Sequence, residues 1–310
     1  MRRLIAVVTG ALVVSLCGVV AASHVATAAP APTAEKWALI TGITQYDAPT
    51  RNTVGGANDA AVVRKALLAN GWAADHIKML VDADATAANI VAGMDWLVEK
   101  STPTSFSVFH FSGHTRQADT GHSDGDTEQF HEFLWARNNQ FVSDREVGTR
   151  MRALRGHAWI NMSNCEAAGF EDGFAGPTKL FTAASREDEK GYERYETAKS
   201  ILTGLMVEEA LLGGRGDADG NGRVSLQEAF AYAAAAAPGL SSAGEYGPQH
   251  PVMAGGDDGG QWFLSAPTPL KPSLIPAGIL PPGLVPPGLI PPGLVPAGLL
   301  PEGTLSQPAR

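Results

Sequence analysis

From Lys36 onward the chain alternates short apolar runs with longer stretches of helical period. KWALITGI (36–43) has the length and composition of a strand. GANDAAVVRKALLANG (56–71) carries apolar residues at three- and four-residue intervals, with Asn58 or Asp59 near its start and Gly71 at its end, as a capped helix does. IKMLVDADA predicts a second strand, and TAANIVAGMDWLVEK a second helix. SFSVFHFSGHT (105–115) is apolar on both faces through most of its length, the mark of a central strand with helices on both sides. HAWINMSNC, ending at Cys165, predicts a fourth strand, and TKLFTAAS (178–185) a fifth. SILTGLMVEEALL and SLQEAFAYAAAAA predict later helices. This alternation argues for an α/β fold built on an open, mostly parallel sheet with helices on both faces.

The two ends break the pattern. Arg2 and Arg3 precede an uncharged apolar run from Leu4 to Ala22, and Ala26-Thr27-Ala28 is a small-x-small cleavage site. Residues 1–28 are therefore expected to be a secretory signal peptide, followed by a short linker over 29–35. The alternative is an uncleaved membrane anchor. From Pro276 the other end repeats every five residues (PAGIL, PPGLV, PPGLI, PPGLV, PAGLL, PEGTL). Proline at this density excludes helix and central strand. Residues 266–310 are expected to form a Pro/Gly-rich tail, either an extended linker or a surface for self-association or cell-envelope contact. Net charge is −9 over 310 residues, and no basic stripe stands out, which argues against a nucleic-acid partner.

Cysteine usage sharpens the picture. The chain has two cysteines, and cleavage after residue 28 removes Cys17. Cys165 then has nothing to pair with, although an exported protein enters a compartment where disulfides are usual. Such a thiol is either a buried small hydrophobe or a reactive group. In an open α/β sheet, catalytic groups gather at the carboxyl ends of the strands. His114 ends one predicted strand and Cys165 ends another, so the fold would bring a thiol and an imidazole together across 51 positions of sequence. A histidine is the partner a nucleophilic cysteine needs, first as base and then as acid to the leaving amine.

HFSGHT (110–115) resembles the histidine motif of caspase-like peptidases, the metacaspases in particular. The stretch RQADTGHSDGDTEQFHEFLWARNNQFVSDREV resembles the acidic run that follows that motif, and TGITQY with VGGANDA resembles the family's first strand and Asn-Asp-Ala segment. The resemblance covers roughly residues 36–263 and implies a caspase-like peptidase domain over 36–265 that acts on proteins or peptides. It implies His114 as base and acid, Cys165 as nucleophile, and the backbone N–H groups of Cys165 and Thr115 as oxyanion hole. It implies Asp59, Ser112 and Ser163 as substrate-binding positions. Ser163 stands where the family has Asp, and Gly56 where it has Cys. One carboxylate in the pocket still implies Arg or Lys at P1, with Asn an open alternative. The resemblance also implies a calcium site near the active loops, for which Asp144 and Asp172 are candidates, with Asp124 and Asp126 in the acidic run. His110 is expected to be structural, and His122 and His131 to be loop residues. The charged run SREDEKGYERYE (185–196) is expected to be an exposed loop, or a border of the substrate cleft open to self-cleavage.

DADGNGRVSLQE (217–228) matches the EF-hand calcium loop at every ligand position. Asp217, Asp219 and Asn221 occupy positions one, three and five, and Gly222 makes the turn. Arg223 offers its carbonyl, Ser225 stands at nine, and Glu228 closes the loop at twelve. Calcium is the cofactor this pattern predicts. The sequence therefore predicts an exported, calcium-supported cysteine endopeptidase using a Cys-His dyad. Its rivals are a catalytically silent calcium-binding scaffold and an envelope or adhesive protein acting through the tail.

Overall fold

The computed structural model describes residues 35–120 and 129–265; the predicted leader, the tail, His122, Asp124 and Asp126 lie outside them. In chain order the main elements are β1 (Lys36–Gly42), α1 (Gly56–Ala69), β2 (Ile77–Val81), α2 (Ala87–Lys100), β3 (Phe106–Ser112), β4 (Thr115–Asp119), β5 (Phe130–Trp135), β6 (Phe141–Ser143), α3 (Asp144–Ala153), β7 (His157–Ser163), β8 (Lys179–Ala183), β9 (Glu193–Arg194), β10 (Lys199–Ser200), a π-helix (Thr203–Leu212), α4 (Leu226–Ser241) and β11 (Val252–Gly255).

The main sheet has the order β11-β8-β7-β3-β1-β2. All neighbours in it are parallel except the edge pair β11 and β8. Its centre is β7, β3 and β1, the strands buried along nearly their whole length. That burial is why they read as unbroken apolar runs rather than alternating ones. Helices cover both faces. Leu39 and Gly42 lie an odd number of positions apart on β1 and so face opposite sides. A Cβ placed on Gly93 of α2 would lie 2.9 Å from Leu39, whereas one on Gly42 would lie 2.2 Å from the Gly56 carbonyl and 2.6 Å from the Ala60 side chain of α1. Glycine at 42 therefore lets α1 approach the strand backbone directly. The core between the layers is filled by Phe109, Phe111, Trp159, Phe170 and Phe181, all fully buried. Side chains of this size stabilise a fold by about 1.5–3 kcal/mol each.

The strands and helices read from periodicity are present, with boundary shifts of a few residues. Three features differ. The apolar run 105–115 is not one strand: β3 stops at Ser112, and Thr115 opens β4, which joins β5 and β6 in a separate antiparallel sheet. α3 is half charged, and its apolar face is narrow, carried by Val147 and Met151 one turn apart and both buried. Its clearer signal was local, a capping box in which Ser143 and Glu146 satisfy each other's backbone N–H groups. His131 is not a loop residue; it sits on β5, buried, with Nδ1 3.2 Å from the Asp144 carboxylate.

Candidate active site

The geometry of the candidate site follows from strand register. β3 and β7 are parallel neighbours, with Ser112 paired to Ser163. His114 and Cys165 each lie two residues beyond that pair. They are thus delivered to the same level at the carboxyl edge of the sheet, and both line one cavity of about 70 Å³ together with Val54, Ser163, Tyr192 and Glu193.

His114 is held from two sides. Its backbone N–H donates to the Tyr46 hydroxyl at 2.7 Å, and its Nε2 lies 2.7 Å from the Arg51 carbonyl oxygen. A carbonyl can only accept, so Nε2 carries the proton and Nδ1 is left as the basic nitrogen of the neutral ring. Gly113 makes room for this arrangement, since a Cβ there would lie 2.6 Å from the Tyr46 hydroxyl oxygen. Burial lowers the imidazole pKa, opposed by the bond to Arg51. A neutral ring is the state a general base requires.

Cys165 is 5% exposed, and its thiol donates to the Gly191 carbonyl at 3.6 Å. Burial first, and then the neighbouring Glu166 charge, push the thiol up to about 12. The resting pair is therefore a neutral thiol and a neutral imidazole in one cavity, suited to proton transfer during attack rather than to a standing ion pair. Glu166 adopts the left-handed region with φ +47° and is 3% exposed. Its backbone N–H donates to the Glu189 carbonyl at 2.9 Å, and its carboxylate pairs with Lys190. The segment from Glu189 to Glu193 is thus tied down beside Cys165, with Tyr192 only 2% exposed. Of the two readings of the charged run, the structure supports a border of the site. Asn164 joins the two strand ends, its side-chain amide donating to Thr115 Oγ1 at 2.5 Å and to the Cys165 carbonyl at 2.9 Å.

With this geometry in hand, the chain can be set beside known proteins. Residues 36–162 match the family described as Metacaspase, peptidase C14 domain. This segment is metacaspase-like. It contains His114, and Cys165 lies just past its end. Among curated proteins, the chain is similar to Metacaspase-1 of Cryptococcus neoformans (39% identical over 104 residues, 31% of this chain and 22% of that protein). It is similar to Metacaspase-1 of Candida albicans (37% over 90 residues, 27% and 20%). It is also similar to Metacaspase-3 of Arabidopsis thaliana (26% over 218 residues, 57% and 59%). The matches to the two fungal proteins span about a fifth of their lengths. Among solved structures, protein GSU0716 from Geobacter sulfurreducens superposes with a TM-score of 0.52 at 11% identity, covering 71% of this chain and 94% of that one. That likeness concerns the fold alone, which is caspase-like.

The other predicted site residues are not all at the cavity. Ser163 lines the cavity, but Asp59 and Ser112 lie beneath it, 0% and 1% exposed, with Ser112 donating to Asp59 at 2.6 Å. Burial drives the Asp59 carboxyl up to about 7, its bonds to Ser112 and Ser200 pulling the other way. Thr115 opens on an adjoining cavity with Gln117, Trp135, Glu166 and Lys190. Asp144 and Asp172 are engaged separately: Asp144 accepts from the Glu132 backbone N–H at 2.9 Å, and Asp172 pairs with Arg152 at 3.2 Å. His110 is structural, fully buried and bonded to Asn161 at 2.9 Å. Tyr46 and the Arg51 carbonyl escaped the sequence reading, because a hydroxyl and a backbone oxygen in a loop carry no motif.

The loop over 217–228 connects the π-helix to α4. Asp217, Asp219 and Glu228 bring carboxylate oxygens within 4.8 Å of one another, the sole such acidic group among the described residues. Oxygens ligating calcium at 2.3–2.6 Å stand about this far apart across the ion. Asp217 Oδ2 accepts from Gly222 N–H at 2.9 Å, while its Oδ1 is shut off from solvent and accepts no hydrogen bond. Gly222 has φ +78°, which any side chain would strain. The donor set and the orphaned oxygen fit a hard divalent cation.

Proposed function

We propose that this protein is an exported cysteine endopeptidase with a Cys165–His114 dyad, supported by calcium and preferring Arg or Lys at P1. One observation carries the reading. The β3–β7 register sets an imidazole and the one thiol of the described residues at one cavity, with the imidazole tautomer fixed by the Arg51 carbonyl. The metacaspase-like segment around His114 supports it.

In the reaction, His114 Nδ1 takes the thiol proton as Sγ attacks the scissile carbonyl carbon. The oxyanion is received by the backbone N–H groups of Cys165 and Thr115. The imidazolium then gives its proton to the leaving amine as the C–N bond breaks, and a thioester remains on Cys165. Water, deprotonated by His114, hydrolyses it and restores the thiol. Asp217, Asp219, Asn221, Ser225, Glu228 and the Arg223 carbonyl would hold calcium, which would supply rigidity to the π-helix–α4 junction when bound. Asp144 and Asp172 are kept as positions for a second ion, and the leader and tail as the means of export and envelope contact. The second reading, a silent scaffold, is motivated by the burial that pushes the Cys165 thiol up to about 12 and so keeps it protonated at rest.

Covalent labelling separates the two. Incubation with a peptidyl-arginine acyloxymethyl ketone should give one adduct, mapped to Cys165, and removal of the imidazole in His114→Ala should slow it by about a hundredfold or more. Equal labelling rates in both proteins would leave the scaffold standing.

A further inference from the structure

The resemblance gives P1 recognition to Asp59, Ser112 and Ser163, yet the one carboxylate among them is wholly buried under the cavity and occupied by neighbours. Ser200 N–H lies 3.1 and 3.2 Å from its two oxygens. Ser163 carries no charge, and its hydroxyl pairs with that of Thr203 at 2.8 Å. A basic side chain entering beside Cys165 would meet a different anion. Glu193 stands in the wall of the Cys165–His114 cavity. It lies on β9, paired in register with Ser200 on β10, the residue whose N–H binds Asp59. The two-residue ribbon therefore brings Glu193 to the site from a segment that the catalytic strands do not supply. The carboxylate is fixed in place, with Oε1 accepting from Gly55 N–H at 2.6 Å and Oε2 from Val54 N–H at 2.8 Å. The Thr53 side chain bonds it as well, and burial raises its pKa against the pull of these three donors; with two lone-pair sites on each carboxylate oxygen, one further donor can still be accepted. Burial is the largest influence raising the pKa of Tyr46, Asp59 and Cys165, and the charge of Glu193 adds to it in each case.

We propose that Glu193 is the P1 specificity residue: its carboxylate pairs with the guanidinium or ammonium of the substrate residue whose carbonyl Cys165 attacks. It supplies the cavity-facing charge that Ser163 lacks. Preorganisation by Val54, Gly55 and Thr53 suits this role, because these donors favour the carboxylate form against burial and a carboxylate fixed in place loses little entropy on meeting a cation. The proposal rests on the peptidase reading above.

The test uses the full chain with calcium present and two peptides differing only at P1, arginine against its neutral isostere citrulline. The ratio of their kcat/KM values is compared between the natural protein and Glu193→Gln. The arginine preference is expected to fall by about tenfold to a hundredfold, the range that a charge-assisted hydrogen bond carries. A loss of anchoring in the 53–55 loop would lower both rates together and leave the ratio alone, and an unchanged ratio overturns the proposal. If the natural protein cleaves neither peptide, the peptidase reading itself fails. If the variant cleaves neither, agmatine protection of Cys165 from iodoacetamide reads the same contact without turnover. Protection in the natural protein alone supports the assignment; equal protection, or none in either, overturns it.

Discussion

Asp59 is a carboxyl with no solvent contact in the middle of the site, and the Asp59→Asn variant tests how its charge bears on the fold. Burial, the largest influence, carries its pKa from an ordinary 3.8 to about 7. At 1.36 kcal/mol per pH unit, ionising it inside the fold costs at most about 4 kcal/mol relative to ionising it in the unfolded chain. The direction follows from proton binding. Between pH 3.8 and about 7 the native state holds the proton more tightly, so the stability this group contributes is fully present below 3.8 and is lost as pH rises through 7. Asparagine has no proton to lose. It can still accept from Ser200 N–H and donate to the Ser112 hydroxyl, keeping the local bonds. The variant should therefore match the natural protein in acid and surpass it in mild base, with the difference growing toward about 4 kcal/mol as an upper limit. Urea unfolding followed by tryptophan fluorescence at about pH 4.5 and about pH 8.5 measures this. A stability difference that stays the same at both pH values would show that Asp59 is not a pKa-raised acid, and the reasoning would fall.

Three further outcomes are expected. Tyr46→Phe removes the acceptor of the buried His114 N–H, so stability should drop by about 1–3 kcal/mol and kcat should fall more than KM rises; an unchanged kcat would remove Tyr46 from the positioning of His114. Glu166→Gln deletes the charge that, after burial, does most to raise the Cys165 thiol, so the pH profile of Cys165 alkylation should move to lower pH, and an unmoved profile would contradict the electrostatic account. Calcium at a hundred times its Kd should stabilise the fold by about 2.7 kcal/mol, and Glu228→Gln should abolish most of that gain; equal shifts in melting temperature in both proteins would place the ion elsewhere.

The main sheet was legible because its strands are buried along nearly their whole length. Continuous burial writes continuous apolar runs, as in FSVFHFS and HAWINMS. The meeting of His114 and Cys165 was legible for the same reason, since residues just past two such runs meet at one sheet edge whenever the strands are neighbours. What escaped were features whose cause is not periodic. β5 sets His131 and Glu132 among its apolar residues, β6 has three residues, and α3 carries only Val147 and Met151 on its apolar face among five charges. The run around Glu193 looked like solvated surface because seven of the ten residues from Arg186 to Tyr195 are charged. Tertiary packing nonetheless turns Tyr192 inward and sets Glu193 against the cavity. The EF-hand pattern could be matched residue by residue because each position has a fixed chemical task, and the fold brings Asp217, Asp219 and Glu228 together; Asp144 and Asp172 were named on likeness alone, and here Asp144 accepts from Glu132 N–H while Asp172 pairs with Arg152.

The central claim is that Cys165 performs peptide-bond cleavage with His114. Its most direct test is hydrolysis of arginine-P1 and lysine-P1 fluorogenic peptides by the natural protein and by Cys165→Ala, with and without calcium. The account predicts cleavage by the natural protein, its loss in the variant, and a fall on chelation. Equal cleavage by both proteins, or none by the natural protein across a broad P1 library, would contradict it.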